Sequence, residues 1–143
     1  MLPTEVKVGY IFRYSYLWNW QHLEGREEGD KDRPCLVLAI VTTEEDGSPF
    51  VRVLPVTHTA PENPDDAVEI PLPVKARLKL DDDRSWIVLT ESNHFVWPGP
   101  DIRPVGTENG YYGAIPPVLF EMVKRRFVDV ARSRNHTSVG RTE

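Results

Sequence analysis

The segment Arg33-Pro34-Cys35-Leu36-Val37-Leu38-Ala39-Ile40-Val41 is apolar almost throughout, without the alternation that marks a half-exposed strand. It predicts a strand covered on both faces, as in the middle of a small barrel. The polar Glu44-Glu45-Asp46-Gly47-Ser48 that follows holds an Asp-Gly turn signal, and residues 50–56 return as a second strand, so a β-hairpin is predicted. Upstream, residues 9–17 are rich in aromatic and β-branched side chains (Tyr10, Ile11, Phe12, Tyr14, Tyr16) and read as the first strand. Residues 18–32 lose this pattern to polar, charged and glycine positions, which predicts a long loop. Further short strands are expected at 67–70, at 85–90 and, as an edge, at 102–105. The Pro-rich connector 57–66, the stretch 71–80 leading into the Asp81-Asp82-Asp83 turn, and the bend Trp97-Pro98-Gly99-Pro100 separate them.

A helical period appears near the C-terminus. After Pro116-Pro117, Leu119, Met122, Val123, Phe127 and Val130 recur at spacings of three and four. Glu121, Lys124, Arg125 and Asp129 fall mostly on the opposite side, which predicts an amphipathic helix at about 117–132. Residues 133–143 are polar and are expected to form a disordered tail. The reading is a single domain over 1–132, mainly β with one C-terminal helix, and a small strongly curved sheet or barrel.

Composition adds limits. The chain has 143 residues, and its 13 prolines cut it into short elements. No apolar run approaches the length of a membrane span, and no secretory signal is visible, so a cytoplasmic protein is expected. Cys35 is the lone cysteine and, within the apolar strand, reads as a small buried thiol. A net charge of −5 speaks against coating nucleic acid by bulk electrostatics but leaves room for a local basic groove.

Several chemistries lack their patterns. Phosphate-binding glycine loops and Gly-x-Ser-x-Gly are absent. His22, His58, His94 and His136 lie far apart without helical spacing, so no metal site and no cofactor are expected. The antiparallel hairpin, by contrast, sets the start of one strand beside the end of the other. Arg33, opening a buried strand after a long loop, should therefore neighbour Thr57 at one rim of the sheet.

The order of loop, Arg33-Pro34, apolar strand, hairpin and Val53-Leu54-Pro55-Val56-Thr57 resembles the PemK/MazF family of toxin–antitoxin growth inhibitors. Gly9-Tyr10-Ile11-Phe12 resembles the opening strand of that family, and the terminal helix falls where theirs does; the resemblance covers residues 7–131. It implies an SH3-like barrel, a homodimer, and a metal-independent endoribonuclease that cleaves single-stranded RNA (mRNA) and is inhibited by a cognate antitoxin. It also implies Arg33 as the catalytic arginine, Thr57 as the active-site hydroxyl and Glu91 as an acidic residue approaching the site. The loop 18–32 matches the one that covers the RNA groove and responds to antitoxin.

Metal-free RNA cleavage needs a base for the 2′-hydroxyl, a cation at the phosphorane and a proton for the leaving oxygen. Arg33 suits the second task, because a guanidinium forks onto two phosphate oxygens. Glu91 or His58 would serve as base, although in a regular strand His58 would point away from Thr57. Tyr16, Trp18 and Trp20 offer rings on which unpaired bases stack, and Lys31 adds a charge for RNA binding. The rival reading is a non-catalytic binding module on the same barrel, contacting a protein or RNA without cutting it; the overall acidity favours it.

Overall fold

The computed structural model describes residues 1–26, 29, 31–133 and 136–141. Glu27, Glu28 and Asp30 of the first loop, and Arg134, Asn135, Thr142 and Glu143 of the tail, lie outside the described residues.

The expected hairpin organises the sheet. β2 (Arg33–Thr43) pairs antiparallel with β3 (Pro49–Thr57), with Cys35 opposite Pro55 and Val37 opposite Val53. Its turn closes through Glu44 N–H donating to Ser48 O (2.8 Å), with Gly47 at φ 90°, a conformation a side chain disfavours. β1 (Tyr10–Tyr14) lies along the other edge of β2 and itself pairs with β7 (Ile102–Arg103) and β8 (Gly113–Ala114). The second edge of β3 is divided. Its C-terminal end pairs with β5 (Trp86–Val88), which β4 (Ala67–Glu69) borders, and its N-terminal half pairs with β6 (Glu91–Val96). The fold is thus mainly β and antiparallel, with the expected C-terminal helix, α3 (Pro117–Ser133).

Both faces of β2 are covered only over Cys35–Leu38. Ile40 and Val41, which the unbroken apolar run also predicted to be covered, are exposed, because β2 runs on past its pairing with β1, which ends at Val37. Leu36 and Leu38 pack with Leu119, Val123 and Val130 of α3, whereas Cys35 and Val37 join an aromatic cluster that includes Phe12, Tyr14, Phe95 and Trp97. Cys35 is fully buried, and burial pushes its thiol pKa far up, so it is an inert core residue. Among the described residues no helix is long and apolar enough to cross a membrane.

Two segments read as irregular hold short helices. Within the loop 18–32, α1 (Asn19–Leu23) forms because the buried Gln21 side chain accepts from Trp18 N–H at 3.0 Å and so caps the first turn. Farther along this loop, Gly29 lies against β1's exit: a Cβ there would meet Tyr16 O at 2.0 Å, which only glycine avoids. Within 71–80, α2 (Leu72–Arg77) places its prolines at the N-terminus, where the missing N–H costs no hydrogen bond.

The tail is the largest correction. Residues 136–141, expected to be disordered, include β9 (Thr137–Gly140), which pairs parallel with β6. Polarity misled the reading because the tail's anchors are themselves polar. Arg52 Nη1 donates to both Ser92 Oγ and Ser138 Oγ, each at 2.7 Å. His136 Nδ1 donates to Leu89 O at 2.9 Å, which leaves Nε2 of the neutral ring to accept from Ser92 Oγ at 2.9 Å.

This anchoring requires neutral imidazoles. Burial, and then the Arg52 charge, hold the pKa values of His136 and His94 below their ordinary 6.5. The unfolded chain therefore binds these protons more readily, so their contribution to stability is complete above about pH 6.5 and declines as pH falls below it. Urea unfolding at pH 7.5 and pH 5.5 should show a loss on acidification that is smaller in His136→Gln. An equal loss in both proteins would remove His136 from the explanation.

Candidate functional site

Where β2 begins and β3 ends, the surface opens into a cleft of about 730 Å³. Arg33, Thr57, His58, Trp18, Trp20 and Lys31, all predicted from sequence, line it. Tyr16 and Glu91 do not; they stand behind Trp18.

Arg33 opens β2 at the rim, half-buried, with its guanidinium 4.7 Å from the centre of the Trp18 ring. Its Nη1 donates to Val56 O at 3.2 Å, and its Nε is buried without a partner among the described residues. Burial lowers its pKa, but an arginine stays cationic at any physiological pH. The neighbouring Asp32 does not neutralise it: Asp32 reaches Arg13 and Arg103, each at 3.5 Å. No described carboxylate stands within ion-pair distance of Arg33, so its charge faces the cleft.

Thr57 ends β3 on the same rim, and its Oγ1 accepts from Thr59 N–H at 3.2 Å, which leaves the hydroxyl proton to donate elsewhere. The chain leaves the strand at Thr57, so strand alternation no longer governs His58, and both side chains line the cleft. This corrects the expectation that they point apart.

His58 has partners that linear spacing did not reveal. Its Nε2 donates to Asp81 Oδ2 at 2.7 Å, which leaves Nδ1 of the neutral ring as proton acceptor. The other oxygen of Asp81 accepts from Lys75, a lysine 2 % exposed whose ammonium also donates to Asp83 O and, at 2.6 Å, to Ser85 Oγ. Although burial raises the Asp81 pKa, the bonds from Lys75 and His58 outweigh it and lower the carboxyl overall. His58, Asp81 and Asp83 offer ligand atoms within 4.8 Å of one another, yet the Lys75 ammonium already supplies positive charge there.

Glu91 begins β6. Its Oε1 accepts from Tyr16 OH (3.1 Å) and Asn19 N–H (3.0 Å), so it ties α1 to the sheet. Burial raises its pKa, against the lowering effect of these bonds and of Arg33. Tyr16 is 1 % exposed, and its ring meets Trp18 edge-on at 5.0 Å, so it supports the cleft wall and presents no face to a base. Trp18 and Trp20 do border the cleft, and Trp20 is 51 % exposed.

The cleft combines a guanidinium without a carboxylate partner, a hydroxyl, an oriented imidazole and aromatic rings. It can bind a phosphodiester and move a proton beside it. Asp81 and Lys75 are the residues sequence reasoning missed, because His58 and Asp81 meet only through tertiary folding. Comparisons of this chain with protein-family models, curated proteins and solved structures found no match.

Proposed function

We propose that this chain is a PemK/MazF-like growth inhibitor, a metal-independent endoribonuclease acting on single-stranded RNA in the cytoplasm and restrained by an antitoxin. The observation that carries the reading is Arg33: a half-buried guanidinium at the cleft rim, stacked on Trp18 and beside Thr57, with no described carboxylate paired to it. The short motifs that resemble the family support the same reading, and with it an SH3-like barrel and a homodimer.

In this mechanism the RNA provides its own nucleophile, the 2′-hydroxyl. Arg33 and Thr57 hold the scissile phosphate and stabilise the phosphorane. His58 Nδ1, oriented by Asp81, takes the 2′-hydroxyl proton, the 2′-oxygen bonds to phosphorus as the P–O5′ bond breaks, and the leaving 5′-oxygen takes a proton from water in the open cleft. The products are a cyclic phosphate and a 5′-hydroxyl end, as cleavage without a water nucleophile requires. Trp18 and Trp20 stack the flanking bases.

The test is incubation of the purified chain with a single-stranded RNA in excess chelator, beside the same strand made 2′-deoxy. Cleavage confined to the ribose strand is expected. His58→Ala should lower the rate by about 10²-fold, the usual contribution of a positioned acid–base group. Glu91→Gln, whose amide oxygen can keep the bonds to Tyr16 and Asn19, should change it by less than about tenfold. The reverse order would move the base to Glu91.

The binding-module reading has its own observation. Asp32, Glu62, Asp66 and Asp81 line the cleft beside Lys31, Arg33 and Lys75, so acids outnumber bases. Intact RNA that nevertheless protects the cleft residues would favour that reading.

A further inference from the structure

The outer face of β3, β6 and β9 carries a polar cluster that the cleft does not use. Arg52 on β3 lies directly opposite His94 on β6, and Ser92 on β6 lies opposite Ser138 on β9. Because opposed residues share a face, these side chains converge on one another. Arg52 Nη1 donates to both serine hydroxyls at 2.7 Å, Ser138 Oγ bonds His94 Nδ1, and Ser92 Oγ bonds His136 Nε2 at 2.9 Å.

The composition of this cluster is the informative point. Arg13, Arg84, Arg103, Arg126 and Arg141 each reach a carboxylate. Arg52 reaches none among the described residues; burial alone lowers its pKa, with no acid acting against it. A half-buried guanidinium set among neutral hydroxyls and imidazoles leaves a positive charge uncompensated. Its Nε and Nη2 make no hydrogen bond among the described residues, so donors remain. Ser138 is exposed on the strand that closes the cluster.

We infer that Arg52, His94, Ser138 and their neighbours His136 and Ser92 form a binding site for a phosphate-type oxyanion. The anion supplies the negative charge the cluster lacks, and the fork of Arg52 Nε and Nη2 holds it. Binding also strengthens β9, since it fixes Arg52, whose Nη1 holds Ser138 Oγ. The chemistry is that of a phosphoryl group, whether of a free phosphate or phosphomonoester or of a nucleic-acid backbone. The site is independent of the Arg33 cleft.

The test is titration of the purified chain with inorganic phosphate at constant ionic strength, read from the histidine ring protons by NMR and from thermal unfolding. Saturating shifts of His94 and His136 are expected, with a rise in melting temperature absent in chloride. Arg52→Gln should lose saturation by at least tenfold in affinity, and Arg52→Lys should keep part of it. A parallel titration with a short DNA strand distinguishes the sources: saturation of the same resonances identifies a backbone phosphate, and saturation with phosphate alone identifies a free phosphoryl ligand. Shifts that are linear in phosphate, or equal in chloride, or unchanged in a folded Arg52→Gln variant, overturn the inference. Arg33→Ala serves as a control that should leave these shifts unchanged.

Discussion

Arg33→Ala is expected to lower RNA cleavage by about 10²–10³-fold, the cost of removing a donor that stabilises transition-state charge. The effect follows from where the guanidinium stands. Its position is fixed by Val56 O and the Trp18 ring, so little reorganisation is needed when charge develops on the phosphorane. Arg33→Lys should fall between the two, because an ammonium keeps the charge but not the planar fork. The fold should survive. Among the described residues Arg33 makes one hydrogen bond, to Val56 O, and such a bond contributes about 1 kcal/mol. Initial rates on a single-stranded RNA, with unfolding measured on the same samples, separate catalysis from stability. Undiminished cleavage by a folded Arg33→Ala protein would remove Arg33 from the chemistry. Induction of both forms in a host without the antitoxin extends the test to growth arrest and fragmentation of cellular RNA.

Arg141→Met is expected to destabilise the chain by about 3–5 kcal/mol, the usual result of breaking one side of a buried ion pair. Arg141 lies near the C-terminus, yet its side chain is 3 % exposed. Its Nη2 reaches Asp101 Oδ2 at 2.9 Å, its Nη1 donates to Ser15 O (2.7 Å) and Asn93 Oδ1 (3.1 Å), and its guanidinium lies 5.2 Å from the centre of the Tyr14 ring. Removing it takes from Asp101, whose side chain is 9 % exposed, its ion-pair partner at 2.9 Å. The effect should also reach the cleft. Asn93, fully buried, holds both the N–H and the carbonyl of Leu17, the residue before Trp18. The double variant Arg141→Met with Asp101→Leu should recover part of the loss, since it removes both buried charges of the pair. Urea unfolding gives the values. A loss below 1 kcal/mol in Arg141→Met would mean that the pair is not buried in solution.

Sequence pattern alone determined the elements whose burial is periodic or continuous. The hairpin at Asp46-Gly47, the two covered faces around Cys35 and Val37, and α3 from its spacing of Leu119, Val123 and Val130 are all local statements about which side chains must leave water. The Arg33–Thr57 rim was legible for the same reason, because an antiparallel hairpin brings its strand ends together whatever surrounds it. Tertiary structure decided everything that depends on polar partners distant in sequence. Gln21 capping α1, Asp81 and Lys75 behind His58, Glu91 holding Tyr16 and Asn19, and Arg141 reaching Asp101 carry no periodic signal. A polar residue's environment is set by the partner it meets, and that partner is chosen by the fold. The tail illustrates this: its polarity marks a solvated segment if it has no partner, and a strand once Arg52, Ser92 and Leu89 O receive it.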